Sequence, residues 1–179
     1  MGKSKIIIAD YNSRWPGMFE EEKERLLHCI GQWVLDIEHI GSTAVVGLGA
    51  KPVIDIMIGV QTLKTADTYC LTPMVGLGYE YVKKYEKEMP YRRYFHKNDP
   101  RNSFGHHIHL VEKGSEFWKR HLLFRDYLRA NEEAAGEYER LKRFLAPQFT
   151  DGNEYAVAKT DFIKGIEAKA FEMEKRNVL

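Results

Sequence analysis

Two kinds of apolar spacing alternate along the first part of the chain. In the earlier segment, large apolar side chains recur every three or four positions, which predicts an amphipathic helix with Pro16 in its first turn and Gly31 at its end. Two apolar runs follow, Val34 to Ile40 and Pro52 to Val60, and both predict strands. The second run is apolar on both faces apart from Asp55, so we expect it in the middle of a sheet.

The later pattern predicts more strands and then a change to helices. A helix interrupted or restarted at Pro73 is predicted from Leu63 to about Leu77. A polar loop over residues 98–103 separates two of the later strands, and Asn131 is expected to cap a helix. The remaining predictions are strands at Tyr79–Tyr85, Tyr91–Lys97 and His106–Glu112, followed by helices at Phe117–Ala130, Glu132–Leu145 and Tyr155–Lys175.

This order of elements predicts an α+β fold, loosely α/β, with a mixed sheet of about five strands and a helical C-terminal part. Hydrophobic residues make up 44% of the chain and charged residues 30%, which is typical of a globular protein. The 179 residues contain no internal repeat and no obvious linker. We therefore expect a single domain spanning residues 1–179.

Charge and cysteine content narrow the classes of function. Lys and Arg number 27 against 26 Asp and Glu, so no overall field attracts a nucleic acid or a membrane surface, and neither is expected as a partner. Cys29 and Cys70 lack metal-ligand spacing, which favours buried thiols over a disulfide and predicts a reducing, cytoplasmic location. No apolar run approaches the length of a membrane-spanning helix.

The segment between the two apolar runs carries the first candidate chemistry. Gly41 and Ser42 follow a strand directly, and such a turn presents backbone N–H groups and a hydroxyl that suit a phosphate. Asp55 lies thirteen residues after Ser42, inside the next strand. A lone strand aspartate is often a hydrogen-bonded structural residue, but burial of a carboxylate among apolar side chains is costly, which favours a functional Asp55.

Two histidines of a later strand are candidates to join this aspartate. Because strand side chains alternate between faces, His107 and His109 share one face, and Asp55 shares its face with Met57. If the strands are neighbours, one carboxylate and two imidazoles converge beside the turn, where they would hold a divalent transition metal or transfer protons. The alternative is a half-exposed strand face without a ligand.

Several other polar residues have both a structural and a functional interpretation. Lys51 is well placed to meet an anion, although it also fits a flexible connection. Arg92 would either cover an edge strand or hold a phosphate in its guanidinium fork. His39 fits packing and function equally. Lys159 is interpreted as a solvated surface charge, with ligand contact as the less favoured alternative.

The chain closely resembles the GrpB family over roughly residues 6–171. The resemblance is carried by the blocks E-H-I-G-S-T-A-V-V-G-L-G-A-K-P-V-I-D-I, Y-R-R-Y-F, H-H-I-H-L, L-L-F-R-D-Y-L-R and Y-A-V-A-K-T-D-F-I. It implies the nucleotidyltransferase fold, a small mixed sheet flanked by helices. It further implies that Gly41 and Ser42, with Thr43 beside them, cradle a nucleotide triphosphate. Asp55 then corresponds to the first aspartate of a metal-binding D-x-D pair, and Met57 stands where the second would be.

Three hypotheses follow for the function. The first is a nucleotidyltransferase-like enzyme that joins a nucleotide to a small molecule, with Lys51 or Arg92 neutralising phosphate charge. In it, Asp55, His107 and His109 hold one catalytic divalent metal, such as Mg²⁺, Mn²⁺ or Zn²⁺. The second is a non-catalytic module that binds a nucleotide or phosphometabolite, favoured by Met57. The third is a different metalloenzyme with an Asp-His-His site on the same scaffold.

Overall fold

A computed structural model describes residues 5–99 and 104–177 and shows one five-stranded sheet with helices packed against it. The strands are β1 (Val34–Ile40), β2 (Val53–Val60), β3 (Glu80–Tyr81), β4 (Arg92–Asp99) and β5 (Phe104–Glu112). The helices are α1 (Trp15–Ile30), α2 (Leu63–Tyr69), α3 (Leu71–Gly76), α4 (Glu116–Ala130), α5 (Glu132–Leu145), α6 (Gly152–Ala158) and α7 (Thr160–Asn177). The predicted α+β class and its helical C-terminal part are therefore confirmed.

The sheet has the strand order β1-β2-β5-β4-β3 and is mixed. Strands β2 and β5 run parallel, whereas the other neighbouring pairs are antiparallel. The predicted central position of β2 is confirmed, because it lies between β1 and β5. In the parallel register Asp55 pairs with His107, and Met57 pairs with His109. This register places the two candidate histidines beside the candidate aspartate.

The two faces of β2 belong to different apolar clusters. Ile54, Ile56 and Ile58 pack with α1 in the main core. On the opposite face Met57 packs against Trp118 of α4. The alternation of strand side chains therefore directs Asp55 away from the main core and toward the side covered by the C-terminal helices.

The C-terminal helices also hold the segment that connects β1 to β2. Val45 and Leu48 of that segment are buried in a third cluster with residues of α4, α5 and α7, among them Leu128, Tyr138 and Ile166. Arg129 of α4 donates a hydrogen bond to the Ala44 carbonyl at 2.9 Å. The segment after Gly41 is thus fixed from both sides, by the sheet and by the helices.

Several predicted boundaries need correction. The helix expected from Leu63 is interrupted at Cys70 instead of Pro73, because Pro73 lies in the first turn of α3, where a missing N–H costs nothing. The strand expected over Tyr79–Tyr85 is wrong beyond residue 81. This edge strand has one neighbour, and a local bond from the Tyr85 N–H to the Val82 carbonyl starts a 3₁₀ helix over Lys83–Lys87.

The last predicted helix is divided into α6 and α7. The Lys159 N–H bonds the Ala156 carbonyl, a tight turn that ends α6, and α7 begins at Thr160. Asp151 caps α6 by accepting bonds from the N–H groups of Asn153 and Glu154. The predicted cap at Asn131 is confirmed, since its side chain accepts a bond from the Ala134 N–H. Of the predicted loop over 98–103, residues 98 and 99 belong to β4 and residues 100–103 lie outside the described chain.

Cys29 and Cys70 are free thiols; Cys70 is buried as predicted, and Cys29 is half-buried. Burial raises the pKa of the Cys70 thiol to about 11, so this group is protonated at neutral pH. Among the helices that the structure describes, none combines the length and the apolar character needed to cross a bilayer.

Candidate functional site

Gly41 shapes the turn at the end of β1. Its backbone has φ +71° and ψ −172°, a conformation that residues with a side chain rarely adopt. A Cβ at this position would lie 2.4 Å from Oδ2 of Asp55. Glycine therefore permits both the turn and the close approach of the Asp55 carboxylate to the backbone.

Thr43 and His39 fasten this turn to the sheet. The Thr43 hydroxyl donates to the Val53 carbonyl at 3.1 Å and lies 3.0 Å from Nε2 of His39. Because the single hydroxyl proton goes to Val53, Nε2 of His39 must carry the proton of the second bond. The His39 ring stacks on Phe19, and burial lowers its pKa to about 4. His39 is thus a structural residue, and the Thr43 hydroxyl is already engaged within the protein.

Asp55, His107 and His109 converge as the strand pattern predicts. Oδ1 of Asp55 lies 3.3 Å from Nδ1 of His107 and 3.8 Å from Nε2 of His109. Burial alone would raise the pKa of Asp55, but the bonds to the two histidines outweigh it and hold that pKa far below its ordinary value. Asp55 is consequently a carboxylate at neutral pH, and it accepts the Nδ1 proton of His107.

His109 is held from its other side by Arg92. An Nη atom of Arg92 lies 3.1 Å from Nδ1 of His109, and a guanidinium can only donate, so Nδ1 accepts and Nε2 carries the proton that faces Asp55. Burial, with a further contribution from Arg92, lowers the pKa of His109 and favours this neutral ring. Arg92 packs over the rings of Tyr94 and Phe117 and does not line the cavity described below.

A divalent metal at this site would need donor atoms of Asp55, His107 and His109. A metal on Nε2 of His109 would place the remaining proton on Nδ1, where it would meet the donor of Arg92. Over residues 5–99 and 104–177, no three His, Cys, Asp or Glu side chains are arranged to hold a metal ion. The three-ligand set of Asp55, His107 and His109 therefore does not fit a metal in this arrangement.

A cavity of about 250 Å³ opens beside the Asp55–His107 pair. Of the residues proposed from the sequence, Ser42, Thr43, Lys51, Asp55 and His107 line it. The opposite wall comes from the C-terminal helices and includes Lys142, Tyr155, Ala156 and Lys159. A small space thus lies between the glycine-serine turn and this helical wall.

Of the lysines that line the cavity, Lys142 is buried and Lys159 half-buried, and the sequence did not place either of them at the site. Lys142 is 2% exposed, and burial lowers its pKa to about 7. Burial also lowers the pKa of Lys159 to about 8, so its interpretation as a solvated surface charge is wrong. A signal for Lys142 existed, because it follows Ala134 and Tyr138 at intervals of four on the buried stripe of α5. Lys159 lies at the break between α6 and α7, and the sequence did not reveal this break.

A second, more open cavity of about 510 Å³ adjoins the first. Lys51 and His107 line both cavities, and Tyr85, Tyr94 and Asn98 line only the second. His107 therefore lies between a small cavity and a larger one, each of which is lined by three lysines.

Comparison with known proteins places this geometry in a family. A family model described as "GrpB protein" matches residues 5–169. The UPF0157 protein YqkA of Bacillus subtilis is 41% identical over 174 residues, which cover 97% of the chain and 49% of that protein. The chain thus spans about half the length of YqkA.

Two further comparisons cover nearly the whole of both partners. The glutamate-rich protein GrpB of Alkalihalophilus pseudofirmus is 35% identical over 93% of the chain and 96% of its own length. A crystal structure of the conserved protein GrpB from Enterococcus faecalis superposes with a TM-score of 0.82 and 36% sequence identity. The match covers 94% of the present chain and 99% of the Enterococcus faecalis chain. The sequence comparison and the structural comparison therefore both indicate similarity to GrpB proteins.

Proposed function

Because the chain belongs to the GrpB family, we propose that it is a nucleotidyltransferase-like protein that binds a nucleotide and a small molecule, the nucleotide phosphates lying against Gly41 and Ser42. One observation carries the proposal: the glycine-serine turn, the Asp55–His107 pair and three lysines meet at one small cavity. Three cations against one carboxylate suit an anionic ligand.

The charge of the phosphates would be balanced by lysine side chains. Lys51 lines both cavities, and Lys142 and Lys159 lie in the helical wall. Phosphate oxygens next to these amines would favour their charged forms, since an opposite charge raises the pKa of an ammonium group. Met57 is fully buried against Trp118, so β2 offers one carboxylate where a two-metal site needs more.

His107 is the best-placed group for proton transfer. Its Nδ1 proton is bonded to Asp55, which leaves Nε2 as the acceptor atom. A hydroxyl of the small molecule, bound beside His107, would give its proton to Nε2 as its oxygen attacks a phosphorus atom. The bond from that phosphorus to the leaving phosphate would break, and Asp55 would stabilise the imidazolium that forms.

The predicted divalent metal, Mg²⁺, Mn²⁺ or Zn²⁺, stays a prediction, and no step of this scheme depends on it. The bond from Arg92 to His109 counts against a three-ligand site. Metal analysis of the purified protein decides the matter, since a stoichiometric metal lost in His109→Gln would restore the Asp-His-His metalloenzyme. The free thiols of Cys29 and Cys70 support the proposed cytoplasmic location.

The test of the proposal is calorimetric titration with ATP, GTP, CTP and UTP. We expect saturable binding of at least one nucleotide, weakened about tenfold in Lys51→Met and unchanged in Lys64→Met, which removes an exposed lysine of α2. Absence of binding by all four would refute the proposal.

A matched activity assay separates an enzyme from a binding module. Each labelled nucleotide is incubated with a pool of small metabolites, and wild-type protein is compared with His107→Gln. Transfer that is lost in the variant supports the enzyme. Binding without transfer supports the alternative function, a non-catalytic nucleotide or phosphometabolite module, which the single carboxylate of β2 favours. Equal transfer by both proteins would contradict the role of His107.

A further inference from the structure

We propose that Lys142, Tyr155 and Lys159 form a subsite for the terminal phosphates of the ligand, which makes the ligand a di- or triphosphate instead of a monophosphate. The identity of the ligand as a nucleotide rests on the proposed function, whereas the binding of a phosphate chain at this subsite does not. All three side chains line the cavity from the helical wall, on the side that faces the glycine-serine turn. The chemistry that they recognise is a polyphosphate.

The Tyr155 hydroxyl supplies the first observation. Tyr155 is 5% exposed, and its hydroxyl oxygen has no hydrogen-bond partner within the described chain. A buried hydroxyl without a partner is less stable than one that is bonded. Because the residue lines the cavity, a ligand oxygen is the partner that would satisfy it.

The two lysines supply an independent observation. Lys159 is among the causes of the lowered pKa of Lys142, as expected for two amines in one cavity wall. Within the described residues, the bond recorded for Lys142 runs to the Gly49 carbonyl, so an ammonium with three donors has donors to spare. An anion between the two amines would relieve their repulsion.

Neighbouring aromatic rings fix both amines in place. Nζ of Lys159 lies 4.1 Å from the centroid of the Tyr155 ring, and Nζ of Lys142 lies 4.8 Å from that of Tyr138. These cation–π contacts hold the two amines in the cavity wall without neutralising them. The subsite is thus preorganised for an anion, which reduces the ordering cost of binding.

Cavity size and charge define the class of ligand. The first cavity, at about 250 Å³, suits a phosphate chain, whereas the adjoining cavity of about 510 Å³ has the aromatic side chains that a nucleoside would contact. A monophosphate at Gly41 and Ser42 would leave the helical wall without a partner. A triphosphate would extend from the turn to that wall.

The experiment titrates the full chain with inorganic tripolyphosphate, ATP and AMP. We expect tripolyphosphate and ATP to bind at least tenfold more tightly than AMP. Tyr155→Phe should weaken both by about tenfold and leave AMP unchanged, and Tyr91→Phe, at an exposed position, should change none of the three. Equal affinity of wild type and Tyr155→Phe for tripolyphosphate would overturn the subsite.

A second readout follows the proton. Tripolyphosphate binding at pH 7.5 should take up protons, seen as a binding enthalpy that changes with the ionisation heat of the buffer, and Lys142→Met should reduce this uptake. A buffer-independent enthalpy in the wild type would contradict the role of Lys142. Denaturant unfolding of each variant shows whether it folds.

The two proposals fail in different ways. Tripolyphosphate binding that depends on Tyr155, with nucleotides bound no better than tripolyphosphate, would support the subsite and refute nucleotide recognition. Nucleotide binding that ignores Tyr155 and Lys142 would refute the subsite and leave the proposed function standing. Absence of binding by all three probes would refute both.

Discussion

Gly41→Ala is predicted to destabilise the fold more than a comparable substitution nearby. The backbone conformation of Gly41 costs a residue with a side chain about 1–3 kcal/mol. The new Cβ would also lie 2.4 Å from Oδ2 of Asp55 and 3.0 Å from its Cβ and Cγ, an overlap that costs about 1–3 kcal/mol more. We therefore expect a loss of about 4 kcal/mol in the free energy of unfolding.

Gly47→Ala is the matched control. Gly47 also has a positive φ, of +80°, but a Cβ there meets nothing within 4 Å, so the variant should lose only the backbone contribution, about 1–2 kcal/mol. Urea unfolding followed by tryptophan fluorescence measures both losses. For a chain of this size, about 4 kcal/mol corresponds to a fall in Tm of roughly 8–16 °C.

A double-mutant cycle isolates the contact with Asp55. In an Asp55→Ala background the carboxylate atoms nearest the new Cβ are gone, so Gly41→Ala should cost at least about 1 kcal/mol less than in the wild type. Equal costs in the two backgrounds would refute the argument that Gly41 makes room for Asp55. Equal losses for Gly41→Ala and Gly47→Ala would refute it as well.

Three further predictions concern buried ionisable groups. His39 is neutral when folded, because its pKa is about 4 in the folded chain against about 6.5 in the unfolded chain. Its contribution to the free energy of unfolding is therefore complete above pH 6.5 and falls by about 3 kcal/mol towards pH 4. The variant His39→Gln should flatten this part of the pH profile of the unfolding free energy. Tyr79→Phe removes a 2.7 Å bond to the buried Glu22 carboxylate and should cost about 1–3 kcal/mol in urea unfolding. Arg92→Met should raise the pKa of His109, measured by NMR titration of the imidazole.

Each of these has a neighbouring control. His28→Gln and Tyr69→Phe change exposed side chains and should leave the unfolding free energy within about 0.5 kcal/mol. Arg93→Met removes an arginine that pairs with Asp67 instead, so the pKa of His109 should not change. A pH profile of His39→Gln that parallels the wild type, a neutral Tyr79→Phe, or an unchanged His109 in Arg92→Met would each contradict the corresponding assignment.

Apolar side chains spaced by two residues in strands and by about 3.6 residues in helices predicted the elements that pack against the apolar clusters. Strand β1 has its predicted bounds, and β2, α4 and α5 match theirs to within one residue, because buried stripes of these elements must face the core. The convergence of Asp55 with His107 followed from strand alternation once the two strands were assumed to be neighbours.

The sequence did not predict those element boundaries and site residues that are set by a local backbone hydrogen bond or by packing between distant segments. The 3₁₀ helix after Tyr81 and the break at Lys159 each rest on a single local backbone bond, which residue type alone did not reveal. The helical wall depends on how the C-terminal helices pack onto the segment after Gly41, a contact between residues far apart in sequence. The bond from Arg92 to His109 joins β4 and β5, and the sequence pattern did not reveal it; a phosphate contact of Arg92 stays a prediction.

The most direct test of the central claim is a crystal structure with a non-hydrolysable ATP analogue. The account predicts a phosphate group within hydrogen-bonding distance of the Ser42 hydroxyl or backbone N–H, with the phosphate chain running towards Lys142 and Tyr155. Phosphates bound on a surface away from the Asp55–His107 pair, or no bound analogue at millimolar concentration, would contradict it.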